Sequence, residues 1–310
     1  MVLMSWNESP VKQAIISFVE KVTSSGSSDY VPPAMRVAVF DNDGTLWPEN
    51  PWPFQVDYTL FKLKSIIQEK PALRNDPMVK AALEGNFGKL LEGPHHNGLL
   101  HVLVLTHTDM TIEEFSDSVE KWFDSSQHPR FKRPFSQVTY QPMQEVLHYL
   151  RSNGFKTYIV SGGGADFMRV WCERVFGISP EQIVGSTVRT RYEFGPEGPV
   201  LVKTTDSFFV NDREGKPVAI HEFIGRRPIA CFGNSDGDKE MLQYTTVNNP
   251  LPSLGVLIHH TDEKREYAYD TNPQSSGKLV EALEDAKRYR WFVVNMKRDW
   301  KRIFQFDQES

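Results

Sequence analysis

A chain of 310 residues is long enough for one large α/β domain with an insertion, or for two ordinary domains. Its 39% hydrophobic and 24% charged residues are those of a globular protein, and 35 basic against 40 acidic side chains (net −5) argue against a nucleic-acid partner. Cys172 and Cys231 stand in apolar contexts and read as buried free thiols rather than a disulfide framework. No apolar run reaches bilayer-spanning length. The first residues do not read as a signal peptide either, so the chain as written is expected in the cytoplasm without a membrane partner.

Taken in order, Ser9 and Pro10 open a helix with Ala14, Ile15, Phe18, Val19 and Val22 on one face. Pro32-Pro33 leads into Val37–Phe40, an apolar run without alternation, as in a buried parallel strand. It ends in Asp41-Asn42-Asp43-Gly44-Thr45. Two carboxylates at a strand tip repel unless a cation or a proton shares the site, which predicts metal-assisted catalysis rather than packing. From 47 to 134 the period is helical: Leu60, Leu63 and Ile67 share a face, and Thr111 begins a capping box with Glu114. Pro71, Pro77, Gly85, Gly93-Pro94, Pro129 and Pro134 break it repeatedly, as in a cap of short helices.

The alternating pattern then resumes with a helix around Met143, Val146, Leu147 and Leu150. Lys156–Val160 reads as a strand ending in Ser161-Gly162-Gly163-Gly164, and a helix through Phe167, Met168, Trp171, Cys172 and Val175 stops at Gly177. A strand at 182–186, a β-hairpin over about 188–210 and a helix opened by Lys216-Pro217 follow. A strand at 228–232 runs into Gly233-Asn234-Ser235-Asp236-Gly237-Asp238; a strand at 255–260, a helix at 279–286 and a strand at 291–294 complete the chain. The predicted fold is α/β, a doubly wound parallel sheet formed by 1–46 and 135–310, with a helical cap at 47–134 and a small hairpin insertion.

Parallel strands deliver their carboxyl ends to one edge of the sheet. That edge would gather Asp41, Asp43, Ser161, Lys216 and the Asn234–Asp238 stretch. Phosphoryl transfer needs such a set: a carboxylate nucleophile, a second carboxyl to move protons, and a divalent ion, a lysine and amide or hydroxyl donors around the phosphoryl oxygens. Hard oxygen ligands of this kind suit Mg²⁺.

Asp41-Asn42-Asp43-Gly44-Thr45, the strand ending in Ser161, the Lys216 helix and the acidic fourth-strand tip resemble, in order, the four motifs of the haloacid dehalogenase superfamily. Ile159-Val160-Ser161-Gly162-Gly163 and the helical insertion are most similar to its phosphoserine-phosphatase-like branch. The resemblance spans about residues 35–260 and implies a Mg²⁺-dependent phosphatase acting on a small phosphomonoester through an aspartyl-phosphate. It implies Asp41 as nucleophile, Asp43 as acid/base, Ser161, the Gly162 amide and Lys216 around the phosphoryl group, and Asp41 and the Asp43 carbonyl on the metal. One departure stands out: Asn234 occupies the place of a metal-binding Asp. Asn234 and Asp238 are expected to line the metal site, with Asp236 as the alternative. A phosphotransferase of the same fold, or a phosphate-binding module with little turnover, are the competing readings.

Glu49 falls near where the resemblance implies a ligand for a substrate amine, against its reading as a solvated loop residue. Trp47, Trp52 and Phe54 would wall the pocket or pack the cap. His95, His96, His101 and His107 match no zinc spacing, and His259-His260 follows a strand on the catalytic edge, where a supporting role is open. Lys297, Arg298, Lys301 and Arg302 are expected on one basic face of a terminal helix. Lys203, away from the helix start at Lys216, is expected to be neutral to the chemistry.

Overall fold

The computed structural model describes residues 2–86, 89–90 and 97–307. Among the described residues, eight strands form one sheet: β1 (Val37–Phe40), β2 (Met110–Thr111), β3 (Lys156–Gly164), β4 (Ile183–Gly195), β5 (Gly198–Phe209), β6 (Ala230–Gly233), β7 (Leu254–His259) and β8 (Phe292–Asn295). Their spatial order is β2-β5-β4-β3-β1-β6-β7-β8. From β4 through β8 neighbouring strands are parallel, and β5 and β2 add antiparallel members at one side. The helices are α1 (Pro10–Thr23), α2 (Phe54–Glu69), α3 (Pro77–Leu83), α4 (Asn97–His107), α5 (Ile112–Ser125), α6 (Gln141–Ser152), α7 (Ala165–Arg169), α8 (Cys172–Phe176), α9 (Gly215–Ala219), α10 (Lys239–Thr246), α11 (Glu281–Tyr289) and α12 (Met296–Asp299).

The central strands have no alternation of polarity because both faces are covered. In β1, Ala38 and Phe40 face a large apolar cluster with Ile15 and Val19 of α1 and Val146 and Leu150 of α6. Val37 and Val39 face a second cluster with Ala219, Met241, Leu242 and Ala282. Phe40 pairs in register with Ile159 and with Phe232, on whose ring it stacks at 4.5 Å. That register brings Asp41, the residue after Phe40, beside the tips of β3 and β6. The Asp41 N–H donates to the Phe232 carbonyl at 2.9 Å, so the backbone carrying the carboxylate is fixed by the sheet.

Between β1 and β3 stand α2–α5; α2, α3 and α4 share an apolar cluster of Leu63, Ile67, Val79, Ala82 and Val102, while α5 buries Phe115, Val119 and Trp122 in the large cluster. The α5 start carries the expected capping box, Thr111 with Glu114. β2 ties this segment to β5 by antiparallel pairing.

Local departures from the sequence expectation have simple causes. The strand expected at 182–186 does not stop before the hairpin: β4 continues to Gly195, so the hairpin is an extension of the main sheet. The helix through Phe167 and Val175 is broken at Val170-Trp171 into α7 and α8, and Gly177 closes it in the left-handed region (φ 64°). Lys297 and Arg298 lie in α12, but the helix ends at Asp299, so no extended basic face forms. Gly93-Pro94, His95 and His96 lie outside the described residues. Among those described, no helix is long and apolar enough to cross a membrane.

Candidate active site

Asp41 leaves β1 at the sheet edge and is 7% exposed; Lys216, from α9, is 2% exposed. The Lys216 ammonium donates to Asp41 Oδ1 at 2.7 Å and to Asp238 Oδ1 at 2.6 Å. Burial alone would lower the pKa of this lysine, but the charges of Asp238 and Asp41 outweigh it and raise the value, so the amine stays protonated. Burial, then the charge of Asp238, pushes the Asp41 carboxyl well up, and Lys216 works against that shift.

Asp238 is committed on both oxygens. Its Oδ2 accepts from the Asn234 and Ser235 amides at 2.9 and 3.0 Å while Oδ1 holds Lys216. Asp236 is also committed: its Oδ1 accepts from the Val280 and Ala282 amides, both at 2.9 Å, fastening the start of α11 to the fourth-strand loop. Neither carboxylate stands free. Asn234 donates through Nδ2 to Glu49 Oε1 at 2.6 Å, and its Oδ1 accepts from the Thr45 hydroxyl at 3.1 Å.

Asp43 is positioned by an indole: Trp47 Nε1 donates to its Oδ1 at 2.8 Å. Trp47 is fully buried, stacked on Trp171 at 4.1 Å, and so anchors the acid to the apolar interior. Removal from water raises the Asp43 pKa to about 6, opposed by hydrogen bonds from Trp47 and Asn42. Gly44 has φ +79°, and a Cβ there would overlap Asn234 Nδ2 and Glu49 Oε1. Only glycine permits both the turn and the close approach.

On the neighbouring strand, Ser161 Oγ accepts from the Gly163 amide at 3.1 Å. The Ser161 and Val184 carbonyls are gripped by the buried Asn211 side chain at 3.0 and 3.2 Å. Gly164 N–H donates to Gln55 Oε1 at 2.7 Å, joining α2 to the β3 tip. Asp41, Asp43, Ser161, Gly162 and Lys216 all line one cavity of about 620 Å³. Asp41, Asp43 and Asp238 do not form a metal-holding cluster by themselves; no group of three His, Cys, Asp or Glu does among the described residues.

Sequence comparison then gives the family: the profile of haloacid dehalogenase-like hydrolases matches residues 38–243, more than half of the chain. The chain belongs to this family. Solved structures also resemble this chain in fold. A functionally unknown conserved protein from Anaerococcus prevotii superposes with TM-score 0.53 at 16% identity, covering 87% of this chain and 96% of its own. A protein with unknown function from Bordetella pertussis gives 0.50 at 16%, covering 84% and 98%. A phosphoserine phosphohydrolase-like protein from Francisella tularensis gives 0.41 at 16%, covering 81% and 99%. The comparison with curated proteins gave no match.

Within the haloacid dehalogenase-like core, several side chains lie where sequence reasoning did not put them. Glu49 is neither solvated nor open to a ligand on all sides. It is 4% exposed, with Asn234 and Tyr269 on Oε1 and Ser276 on Oε2, and burial raises its pKa to about 7. His260 supports the loop that follows β1, with Nε2 at 2.8 Å from the Gly44 carbonyl and Nδ1 at 2.9 Å from Glu266, whereas His259 lies 3.5 Å from Asp270. His101 pairs with Asp76 and His107 with Gln55, so the two are held apart from any shared ion. Lys203, expected to be neutral to the chemistry, is 3% exposed, lines the cavity and is paired with Asp166. Gln55 and Asn211 were missed as site residues, and Trp47, expected to wall the pocket or pack the cap, also donates to Asp43. For Trp47 the four-residue spacing from Asp43 was a readable signal; Gln55 and Asn211 give none in sequence.

Proposed function

We propose that this haloacid dehalogenase-like hydrolase is a Mg²⁺-dependent phosphatase that releases phosphate from a small phosphomonoester, with residues 47–134 as the cap over its site. The observation that supports it most is the Lys216 ammonium held between Asp41 and Asp238. It places one protonated amine against the nucleophile with a second carboxylate locking it there. In this reading Asp41 attacks phosphorus, the bond from phosphorus to the ester oxygen breaks, and Asp43 gives its proton to the departing alcohol. Asp43 then takes a proton from water, which attacks the aspartyl-phosphate, frees inorganic phosphate and restores Asp41. A pKa near 6 suits a carboxyl that must both give and take a proton close to neutrality. Ser161 and the Gly162 amide would bind the phosphoryl oxygens, and Lys216 would offset their charge.

The donor set fits a hard cation. Asp41 has only its Oδ1 engaged by Lys216, and Asn234 has its Nδ2 fixed by Glu49, which commits Oδ1 as the oxygen available beside Thr45. Asp41, the Asp43 carbonyl and Asn234 would hold Mg²⁺, which when bound offsets charge on the phosphoryl oxygens. Asp238, with both oxygens taken, serves Lys216 and the loop instead.

The test is phosphate release from a panel of phosphomonoesters, with Mg²⁺ and with excess chelator, by wild type and Asp41→Asn. Metal-dependent release that disappears in Asp41→Asn while the circular dichroism is unchanged supports the reading. Release that survives in Asp41→Asn removes the nucleophile assignment. Phosphate binding without release from any ester favours a binding module.

A further inference from the structure

The cavity extends well beyond the phosphoryl site, and its far wall differs in kind. From the β3 tip a chain of contacts leads away from Asp41: Gly164 to Gln55 at 2.7 Å, Gln55 to His107 at 3.1 Å, and the His107 ring to the Phe115 ring at 5.2 Å between centroids. Around that remote end the lining is Leu99, Leu103, Phe115, Phe167, Val188 and Phe208. These come from α4, α5, α7 and the two arms of the β4–β5 hairpin. A cavity of about 620 Å³ holds far more than a phosphoryl group, in the size range of ordinary small-molecule sites.

Of the polar side chains at this end, Gln55, His107, Ser186 and Lys203 are already engaged within the protein. Gln55 uses its oxygen on the Gly164 amide and its nitrogen on His107, and the other His107 ring nitrogen is 2.8 Å from the Thr106 hydroxyl. Burial, then the charge of Lys203, lowers the His107 pKa to about 3, so the ring is neutral. Ser186 donates to the Gly162 carbonyl and accepts from the Asn211 amide. Lys203 is paired with Asp166 and lies 4.6 Å over the Phe115 ring. The exposed Arg213 and Lys278 belong to the other end, where their backbones meet Gly237 and Asp236. A polyhydroxylated or zwitterionic substrate body would lose water here and leave its polar groups poorly paired. An apolar body would lose nothing.

We propose that the substrate is a phosphomonoester whose alcohol carries an uncharged, largely apolar body, seated against Leu103 and Phe115 on one wall and Phe208 on the other. This rests on the phosphatase reading above and narrows it: phosphoamino acids and sugar phosphates are the wrong class.

The experiment is a homologous series, ethyl to octyl phosphate, run with Mg²⁺ beside O-phosphoserine and glucose 6-phosphate. The expected result is a kcat/KM that climbs about threefold per methylene until the cavity is filled, with the two polar esters at or below ethyl phosphate. Leu103→Asp and, from the opposite wall, Phe208→Ser should each cut the octyl-to-ethyl ratio about tenfold or more. The ratio is internal to each variant, and two walls guard against one substitution failing to fold. Release that is flat or falls along the series, or that favours a polar ester over octyl phosphate, overturns the substrate class and leaves the phosphatase reading standing. No release from any ester overturns the phosphatase reading. Calorimetry with ethyl- and octylphosphonate then decides the apolar seat by itself: tighter octyl binding supports it, and equal or weaker binding overturns it.

Discussion

Two buried lysines line the same cavity and are held in opposite ways. Lys216 stands between two carboxylates, one of them wholly buried. Lys203 has one carboxylate, Asp166, which is 18% exposed and also bonded to Arg169 at 3.1 Å, and it rests on an aromatic face. The first lysine is the charge on which a buried anionic site depends. The second closes an ion pair in a wall rich in leucine and phenylalanine. The cavity is thus polarised between a floor built to hold charge and a far wall that has already neutralised its own.

The floor should break hardest. Lys216→Met leaves Asp41 and Asp238 facing each other with no cation between them, and removal of one member of a buried ion pair costs about 3–5 kcal/mol. Urea denaturation should show that loss, and phosphate release should fall by about 10²-fold or more. A midpoint shift no larger than that of Lys203→Met would erase the contrast between the two lysines.

The far wall should respond to acid. The His107 pKa is about 3 when folded and 6.5 when unfolded. Above pH 6.5 both states are neutral and stability is indifferent to this group. Below it only the unfolded chain takes up the proton, so stability falls as pH falls toward 3. At pH 5 the loss is about 2 kcal/mol. Because Asp43 and Glu49 titrate with the opposite sign, the comparison must be wild type against His107→Gln at each pH. A constant difference between pH 7 and pH 5 would mean that the ring is not kept neutral.

Beside the floor stands the Asn234–Glu49 contact. Asn234→Asp turns a 2.6 Å amide-to-carboxylate hydrogen bond into two carboxylates at the same distance. Activity at pH 8 should drop about tenfold, and the exchanged pair Asn234→Asp with Glu49→Gln should recover most of it, as expected for directly coupled neighbours. An Asn234→Asp enzyme as active as wild type would show that Glu49 does not dictate the amide.

The same contrast explains what could be read in advance. The floor lies at strand tips, and a strand tip is a local feature: apolar runs end abruptly in Asp41, Ser161 and Asn234, and parallel topology alone brings them together. Lys216 was legible only because it completed that set. The far wall has no such grammar. Leu103 and Phe115 sit on helices at positions that periodicity assigns to packing, and nothing local distinguishes a residue that packs from one that faces a cavity. Glu49 misled for a related reason: a charged residue in a loop has a strong prior for solvent, and only its long-range partners Tyr269, Ser276 and Asn234 reverse it.

Lys203→Met gives the smallest expected effect and closes the comparison. The substitution removes an ammonium from above Phe115 and leaves Asp166 with Arg169, at a position that water partly reaches. The remaining carboxylate therefore keeps a cation and some hydration, which Asp41 and Asp238 would not. Methionine also restores most of the apolar contact made by the lysine stem. The destabilisation should be about 1 kcal/mol, at the low end for a buried pair, because a well-packed apolar replacement recovers much of what the pair contributed. Adding Arg169→Met on top strips Asp166 of its second cation and should cost more than the two single changes summed, as urea midpoints of the four proteins would show. Simple additivity would mean that Arg169 does not shield Asp166, and that the tolerance of the wall comes from packing alone.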